Sequence, residues 1–366
     1  MKRLRACLCL CFALLLFPAS LSGCAPADPD TAQESIQVIA MDTPMLITTY
    51  GKRSVAAAYA AEDCIRDLEA ALSRTDPDSE VSRLNRAGGE PVEVGEDLHF
   101  LLRDAKYLSN DTAGAFDITI APVASAWGFT EDQFRVPSQA ELDALLKLVD
   151  YEQIHFSAPP PLSNSPSEPL TASLGPGQAI DLGGIAKGYA ADKLVEVFQE
   201  HQVPRALAQL GGNVLAYGDR PDGAPWRVGV QDPARPEDKN AFAGVLELTD
   251  AFAVTSGGYQ RYFEQDGKRY HHIIDPATGY PADSGLTSVT VVAGLERTYA
   301  GTMCDAFSTA LFIMGEERAL DFWKTWEGTP FELVLVTEDD RVIVTGGLAD
   351  RFTLDESSGY AYETVS

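Results

Sequence analysis

Cysteine is scarce where it could act. The chain has six, and Cys7, Cys9, Cys11 and Cys24 all fall near its amino end. Only Cys64 and Cys304 remain, both in apolar helical surroundings. Two buried thiols are therefore expected, not a disulfide or a thiol metal site. Histidine is rare too, with five in 366 residues, and no His/Cys set has zinc spacing. Basic residues are few: 28 Lys+Arg against 54 Asp+Glu give a net charge of −26. That balance excludes a nucleic-acid partner, which needs a basic face. It also argues against attraction to an anionic lipid surface. A G-x-S-x-G turn, a Cys/His nucleophile pair, G-x-G-x-x-G and G-x-x-x-x-G-K-[ST] are all missing. No internal repeat is present.

What the amino end does have is a leader pattern. Lys2, Arg3 and Arg5 precede a short apolar core from Leu8 to Phe17, too short to span a bilayer comfortably. Residues 1–23 read as a secretory signal, cut either at an ordinary site or before Cys24. The string Leu21-Ser22-Gly23-Cys24 looks like a bacterial lipobox, which makes Cys24 the lipidated residue. Residues 24–35 are polar and Pro-containing, a tether. The expected protein is extracytoplasmic and held on a membrane by acyl chains. Residues 36–355 are expected to fold as one domain, with a Pro/Ser-rich exposed insertion at about 157–170 and a tail over 356–366.

Periodicity along that domain mixes helices with short strands. Two strands are expected within Ile36–Tyr50, broken over Met41–Pro44. Ser54–Leu72 is an Ala-rich helix with Ile65, Leu68 and Leu72 on one face. Glu96–Asn110 is a second helix, and Ala115–Ile120 has strand character. Ser138-x-x-Glu141 is a capping box for a helix through Val149. After an extended Gln178–Ile180, a helix runs to about Gln202. Strands then dominate, with further helices over Thr298–Met314 and Glu316–Glu327. This order predicts an α+β fold of mixed, largely antiparallel sheets with packed helices.

Asp181-Leu-Gly-Gly-Ile-Ala-Lys-Gly-Tyr-Ala190 is the densest stretch. Two glycines and Lys187 at a helix start either form an anion site or simply let the helix begin. Three other turns sit at strand ends: Gly211-Gly-Asn213, Ser256-Gly-Gly258 and the run from His271 to Gly279. Together they suggest a polyanionic ligand met by backbone N–H groups. Asp305 and Thr309 share a helix face four residues apart. They suit either a hard cation such as Mg²⁺ or an internal hydroxyl bond beside a solvated carboxylate. His271 and His272 are adjacent on a strand, so at most one faces any site.

Taken together, these stretches resemble the ApbE family of FAD:protein FMN transferases. The similarity spans about residues 36–355. It includes Met41-Asp-Thr43, Asp78-Ser-Glu-Val-Ser-Arg-Leu-Asn85, Gly114-Ala-Phe-Asp-Ile-Thr119 with Trp127-Gly-Phe129, and Asp181 to Asp192. Gly211-Gly-Asn213, Ser256-Gly-Gly-Tyr259, His272-Ile-Ile-Asp-Pro-Ala-Thr-Gly279 and Cys304-Asp-Ala-Phe-Ser-Thr309 follow in family order. The resemblance implies a T-fold-related architecture of two subdomains with a cleft. It implies FAD as substrate, lined by Met41, Thr75, Ala115, Phe116, Asp117, Asp181, Lys187, Ser256 and Ile274. It implies Mg²⁺ held by Asp305, Thr309 and the Gly184 carbonyl. The flavin would pass to a Thr/Ser hydroxyl of an acceptor flavoprotein, an envelope electron-transfer protein, as AMP leaves. His272 would be the base, with Asp275 its orienter, or Asp275 the base itself. Thr75 stands where many relatives carry an aromatic residue near the adenine, and Asp42 where glycine is common. A ring lost there leaves room for water, so an FAD pyrophosphatase is the alternative. A passive flavin-binding lipoprotein would lack Asp305, Thr309 and His272. A solute-binding lipoprotein would show two βαβ lobes.

Overall fold

The computed structural model describes residues 32–129, 133–157 and 169–366. The leader, Cys24 and residues 158–168 of the Pro/Ser-rich stretch lie outside the described residues.

The chain opens with a hairpin. β1 (Gln33–Ala40) and β2 (Thr43–Tyr50) pair from Gln33↔Tyr50 to Ala40↔Thr43. Met41 and Asp42 make the whole turn, at φ 49° and 56°. Positive φ at both central residues matches the twist of the flanking strands. The expected break over 41–44 thus shrinks to two residues, and β1 begins inside the expected tether. α1 (Ser54–Leu72) buries Ala57, Ala61, Ile65, Leu68 and Leu72 as one stripe. α2 (Glu80–Arg86) is capped by Ser79, whose hydroxyl accepts the Ser82 N–H. β3 (Val92–Glu93) and α3 (Glu96–Asp111) follow.

Residues 115–120 form no strand, against expectation. Asp117 Oδ1 accepts the Thr119 N–H and hydroxyl at 2.8 and 2.6 Å, and Oδ2 accepts the Tyr151 N–H at 3.1 Å. A short side chain bonded to nearby backbone competes with a ladder. The chain passes through a 3₁₀ turn (Ile118–Ile120) into α4 (Ala121–Trp127), closed by Gly128 at φ 82°. α5 (Gln139–Leu145) takes its cap from Ser138, as Ser-x-x-Glu predicts. It tightens to 3₁₀ geometry over Leu146–Leu148 and ends short of Val149. β4 (His155–Phe156) and β5 (Thr171–Ser173) pair antiparallel, so the Pro/Ser-rich stretch joins two partnered strands. Gln178–Ile180 joins no sheet. Asn85 holds both the N–H and the carbonyl of Ile180, at 2.8 and 3.0 Å.

α6 (Ala186–Glu200), β6 (Arg205–Leu210), β7 (Asn213–Tyr217), β8 (Trp226–Gln231), β9 (Phe242–Leu248), β10 (Ala251–Gly257), β11 (Tyr262–Gln265), β12 (Lys268–His271) and β13 (Leu286–Gly294) come next. α7 (Ala300–Met314), α8 (Glu316–Thr325), β14 (Glu332–Thr337), β15 (Arg341–Thr345), β16 (Phe352–Leu354) and β17 (Ala361–Val365) complete the chain. Nine strands form one sheet in the order β1-β2-β6-β7-β10-β13-β14-β15-β17, and β16-β9-β8 form a smaller one. The expected tail over 356–366 is corrected: β17 pairs parallel with β15 and is an edge of the large sheet.

Alternation along β10 separates two cores. Phe252 and Val254 join the apolar cluster that includes α1, α6 and α7 residues. Ala251 and Ala253 join Trp226, Val230, Leu246 and Phe352 of the small sheet. Helices therefore cover one face of the large sheet and the small sheet lies against the other. The β1–β2 turn, the β6–β7 turn and the carboxyl end of β10 meet at one end of the large sheet. This is the α+β architecture expected, with the glycine-rich turns gathered at one place.

Candidate active site

The stretch at 181–188 starts α6 in an unusual way. Ile185 and Ala186 both donate to the Leu182 carbonyl. Asp181 Oδ1 accepts the Gly183 N–H at 2.8 Å, while Arg74 bridges Asp181 Oδ2 and Ser125 Oγ, each at 2.5 Å. Lys187 Nζ donates to the Gly183 carbonyl at 2.8 Å and lies 3.9 Å from Asp305 Oδ2. In a regular helix the Gly188 N–H would bond the Gly184 carbonyl. Here it goes to Asp305 Oδ2 at 2.8 Å. Among the described residues nothing else donates to Gly184, so its carbonyl is left for a ligand.

Tight helix packing makes that exchange possible. A Cβ on Gly188 would lie 2.2 Å from the Gly301 carbonyl oxygen and 2.7 Å from Asp305 Cβ. α6 and α7 can approach this closely only where no side chain intervenes. Asp192, one turn further along α6, accepts the N–H groups of Gly301 and Thr302 at 2.9 and 2.7 Å and the Thr302 hydroxyl at 2.6 Å. A carboxylate from α6 thus caps α7. Burial pushes Asp192 up to about 7, opposed by those same donors.

Asp305 is 3% exposed, so the solvated carboxylate of one sequence alternative is not what forms. Nor does the Thr309 hydroxyl bond back to the Asp305 carbonyl among the described residues; the Ser308 hydroxyl does, at 2.8 Å. The Thr309 hydroxyl lies 3.4 Å from Ser256 Oγ and 3.3 Å from where a Gly184 Cβ would be. Asp305, Thr309 and the Gly184 carbonyl therefore form a cluster of hard oxygen donors of the kind a small divalent cation accepts. No group of three His, Cys, Asp or Glu side chains among the described residues could hold a metal. A cation here would rest on this mixed set and on ligand oxygens.

The two histidines part as alternation requires. His271 Nε2 bonds the Ala282 carbonyl at 3.0 Å and its ring packs edge-on against Phe312. His272 points to the cleft. Its Nδ1 lies 3.1 Å from the Arg261 carbonyl, which can only accept. The proton therefore sits on Nδ1, and Nε2 carries the lone pair. Desolvation first, then the neighbouring His271, Lys187 and Arg261, lowers His272 to about 4. The ring is thus neutral at ordinary pH, as a proton acceptor must be.

Asp275 does something else. Its Oδ1 accepts the Ala277 N–H at 2.8 Å and its Oδ2 the Thr278 hydroxyl at 3.3 Å. The carboxylate ties the 275–279 turn, which Trp127 Nε1 anchors through the Gly279 carbonyl at 2.8 Å. Asp275 lines neither chamber described below. The geometry gives the orienting role to the Arg261 carbonyl.

Two chambers meet at these residues. A small one, about 160 Å³, is lined by Ala115, Phe116, Asp117, Gly184, Ser256, Ile274, Asp305 and Thr309. A wide cleft of about 1290 Å³ is lined by Met41 and Thr75 among others. Asp181, Lys187, Gly212, Thr255, Gln260 and His272 border both and form the neck between them. Apart from Asp275, every expected site residue among the described positions borders one chamber or both. Asp117 does so with its carboxylate already spent on Thr119 and Tyr151.

Sequence reasoning missed three contributors. Arg74 holds Asp181 in place; its only signal was a lone cation in a polar loop. Gln260 lies past the Ser256-Gly-Gly turn, outside the motif. Asn213 was noted only as part of a turn. It is 1% exposed and lines the small chamber, and neither atom of its carboxamide has a partner among the described residues. Buried unpaired amides are costly, and this one marks where a polar ligand group fits.

The ApbE family profile matches residues 41–331. The FAD:protein FMN transferase of Treponema pallidum is 35% identical over 319 residues, 83% of this chain and 84% of that protein. That of Klebsiella pneumoniae is 33% identical over 336 residues, 90% and 97%. The crystal structure of the ApbE protein from Thermotoga maritima superposes with a TM-score of 0.74 at 31% identity, covering 89% of this chain and 98% of that one. The flavin transferase ApbE from Vibrio cholerae gives 0.73 at 26% identity, covering 87% and 99%. The match over most of the chain shows that it belongs to the ApbE family.

Proposed function

We propose that the chain is an FAD:protein FMN transferase, moving the FMN half of FAD onto a threonine or serine hydroxyl of an acceptor protein and releasing AMP. One observation carries this reading. Around the small chamber and its neck, Lys187, the Gly184 carbonyl released by Gly188, Asp305, Thr309 and the lone-pair nitrogen of His272 gather. Phosphoryl transfer asks for charge neutralisation and positioning, which such a set supplies.

FAD lies across the neck in this reading. Its FMN half takes the small chamber, against Ala115, Phe116, Asp117, Ser256 and Ile274, and its AMP half extends toward Met41 and Thr75. Mg²⁺ fits the oxygens of Gly184, Asp305 and Thr309 and would neutralise charge on the pyrophosphate. The acceptor hydroxyl oxygen forms a bond to the FMN phosphorus. The phosphorus–oxygen bond to AMP breaks, and AMP leaves with its electron pair. His272 Nε2 receives the hydroxyl proton. Lys187 steadies the developing charge.

The leader pattern supports an extracytoplasmic lipoprotein anchored through Cys24, acting on an envelope electron-transfer flavoprotein. Among the described residues no helix is long and apolar enough to cross a membrane. Mass analysis of the mature amino terminus, with and without Cys24→Ala, tests the anchor.

The reaction is tested by incubating the full chain with FAD, Mg²⁺ and a threonine-containing acceptor protein. Covalent flavin on the acceptor in a denaturing gel, with stoichiometric AMP, is the expected result. Free FMN and AMP without labelled acceptor would make the protein a pyrophosphatase, the reading that Thr75 favours. Full activity in Asp305→Ala would remove the metal assignment.

A further inference from the structure

We propose that the outer cleft seats the acceptor polypeptide as an extended segment added to the open edge of β8. This rests on the transferase reading. β8 is the end strand of the small sheet and pairs with β9 alone. All five residues from Arg227 to Gln231 line the cleft. Side chains alternate along a strand, so a cavity over one face would meet every second residue. Five in a row mean that the cavity reaches past one face to the strand's edge, although Phe242 and Leu246 of β9 show that it also covers part of a face. Among the described residues no main-chain hydrogen bond reaches that edge from the side away from β9. It offers the unpaired N–H and C=O groups that β-augmentation uses.

Size, position and charge agree. The cleft, at about 1290 Å³, exceeds the roughly 300–1,000 Å³ of a single small-ligand site. Its lining takes in Met41, Glu69 and Thr75 as well as β8 with Phe242 and Leu246, and Lys187 and His272 border the same cavity. In-line displacement puts the nucleophile opposite the leaving group. AMP departing toward Met41 and Thr75 leaves the part along β8 for the incoming hydroxyl. The lining also carries Arg227 and Lys239 with Glu237, in a chain of net charge −26. Neither cation is in an ion pair among the described residues. The occupant that fits is an extended, acidic segment presenting one Thr or Ser hydroxyl to His272.

The test uses the full chain with FAD, Mg²⁺ and a synthetic peptide bearing one threonine flanked by aspartates. A matched peptide with lysines in place of the aspartates is the control. Amide hydrogen exchange reads the groove; covalent flavin on the peptide reads the chemistry. The acidic peptide is expected to slow alternate amides within 227–231 about tenfold or more, and the lysine peptide is not. Arg227→Glu combined with Lys239→Glu is expected to raise the KM for the acidic peptide about tenfold, with less effect on kcat and none on the melting temperature. Unchanged β8 exchange with the acidic peptide overturns the proposal, whether or not flavin is transferred. Protected β8 amides without labelled peptide support the groove and count against the transferase reading instead.

Discussion

The two walls of the neck are built to different tolerances. On the α6–α7 side the packing residues Gly188, Asp192, Gly301 and Asp305 are buried and tightly held. Gly188 meets Gly301 with no room for a methyl group, Asp192 caps α7, and Asp305 takes a helix N–H from α6. On the rim side, Thr75 is exposed and among the described residues bonds only Ser73, and the edge of β8 stands open. In the proposed reading this wall holds a cation and a phosphorus, which needs such over-determination. A rim that meets the adenine and a protein partner, as proposed, does not. The proposed chemistry and the proposed recognition are thus separated by a few residues.

This contrast can be broken or sharpened by substitution. The largest effect is expected from His272→Ala, which removes the proton acceptor and should lower transfer by about 10²–10⁴-fold, measured as covalent flavin per minute. In the unaltered protein the base is lost only as pH falls through about 4. The pH–rate profile of kcat/KM should therefore stay level through pH 6.5. The unfolded chain takes up this proton near 6.5, so His272 makes folding less favourable as pH falls from 6.5 toward 4. Urea midpoints across that range check the sign.

Gly188→Ala comes next. Its methyl group collides with the Gly301 carbonyl, and overpacking of this kind costs about 1–3 kcal/mol. A lower melting temperature and weaker Mg²⁺ dependence of transfer are expected together, because the same shift parts Gly184 from Asp305. Thr75→Tyr acts on the rim. A ring stacked on a base contributes about 0.5–1.5 kcal/mol, so FAD should bind roughly two- to tenfold tighter by fluorescence titration, with less free FMN per acceptor labelled. The smallest change is expected from Asp275→Asn. One oxygen still accepts the Ala277 N–H, so kcat should stay within about threefold. A drop of the His272→Ala size would return Asp275 to the role of base.

Much of the site was legible because its chemistry travels in contiguous strings. Asp181 to Ala190 and His272 to Gly279 carry their own turns, and a four-residue step on a helix puts Asp305 and Thr309 together. Residues 115–120 were misread because apolar alternation cannot show that Asp117 will bond Thr119 and Tyr151 instead of yielding to a ladder. The tail was misread because a short exposed strand has no pattern of its own; β15 supplies the partner. The resemblance implied Asp275 as the orienter of His272 or as the base itself, and its side chain bonds forward into its own turn.

By itself the sequence determined the α+β class, the strongly acidic balance of the chain, and which short strings line the candidate site. Periodicity, charge and turn residues act locally and can be read in one dimension. Only the tertiary structure decided that the Gly184 carbonyl is free. That depends on a hydrogen bond to Asp305, 117 residues from Gly188, made where two glycines let helices touch. It also decided which histidine nitrogen holds the proton and which sheet edge faces the cleft, because each follows from partners brought in from elsewhere in the chain.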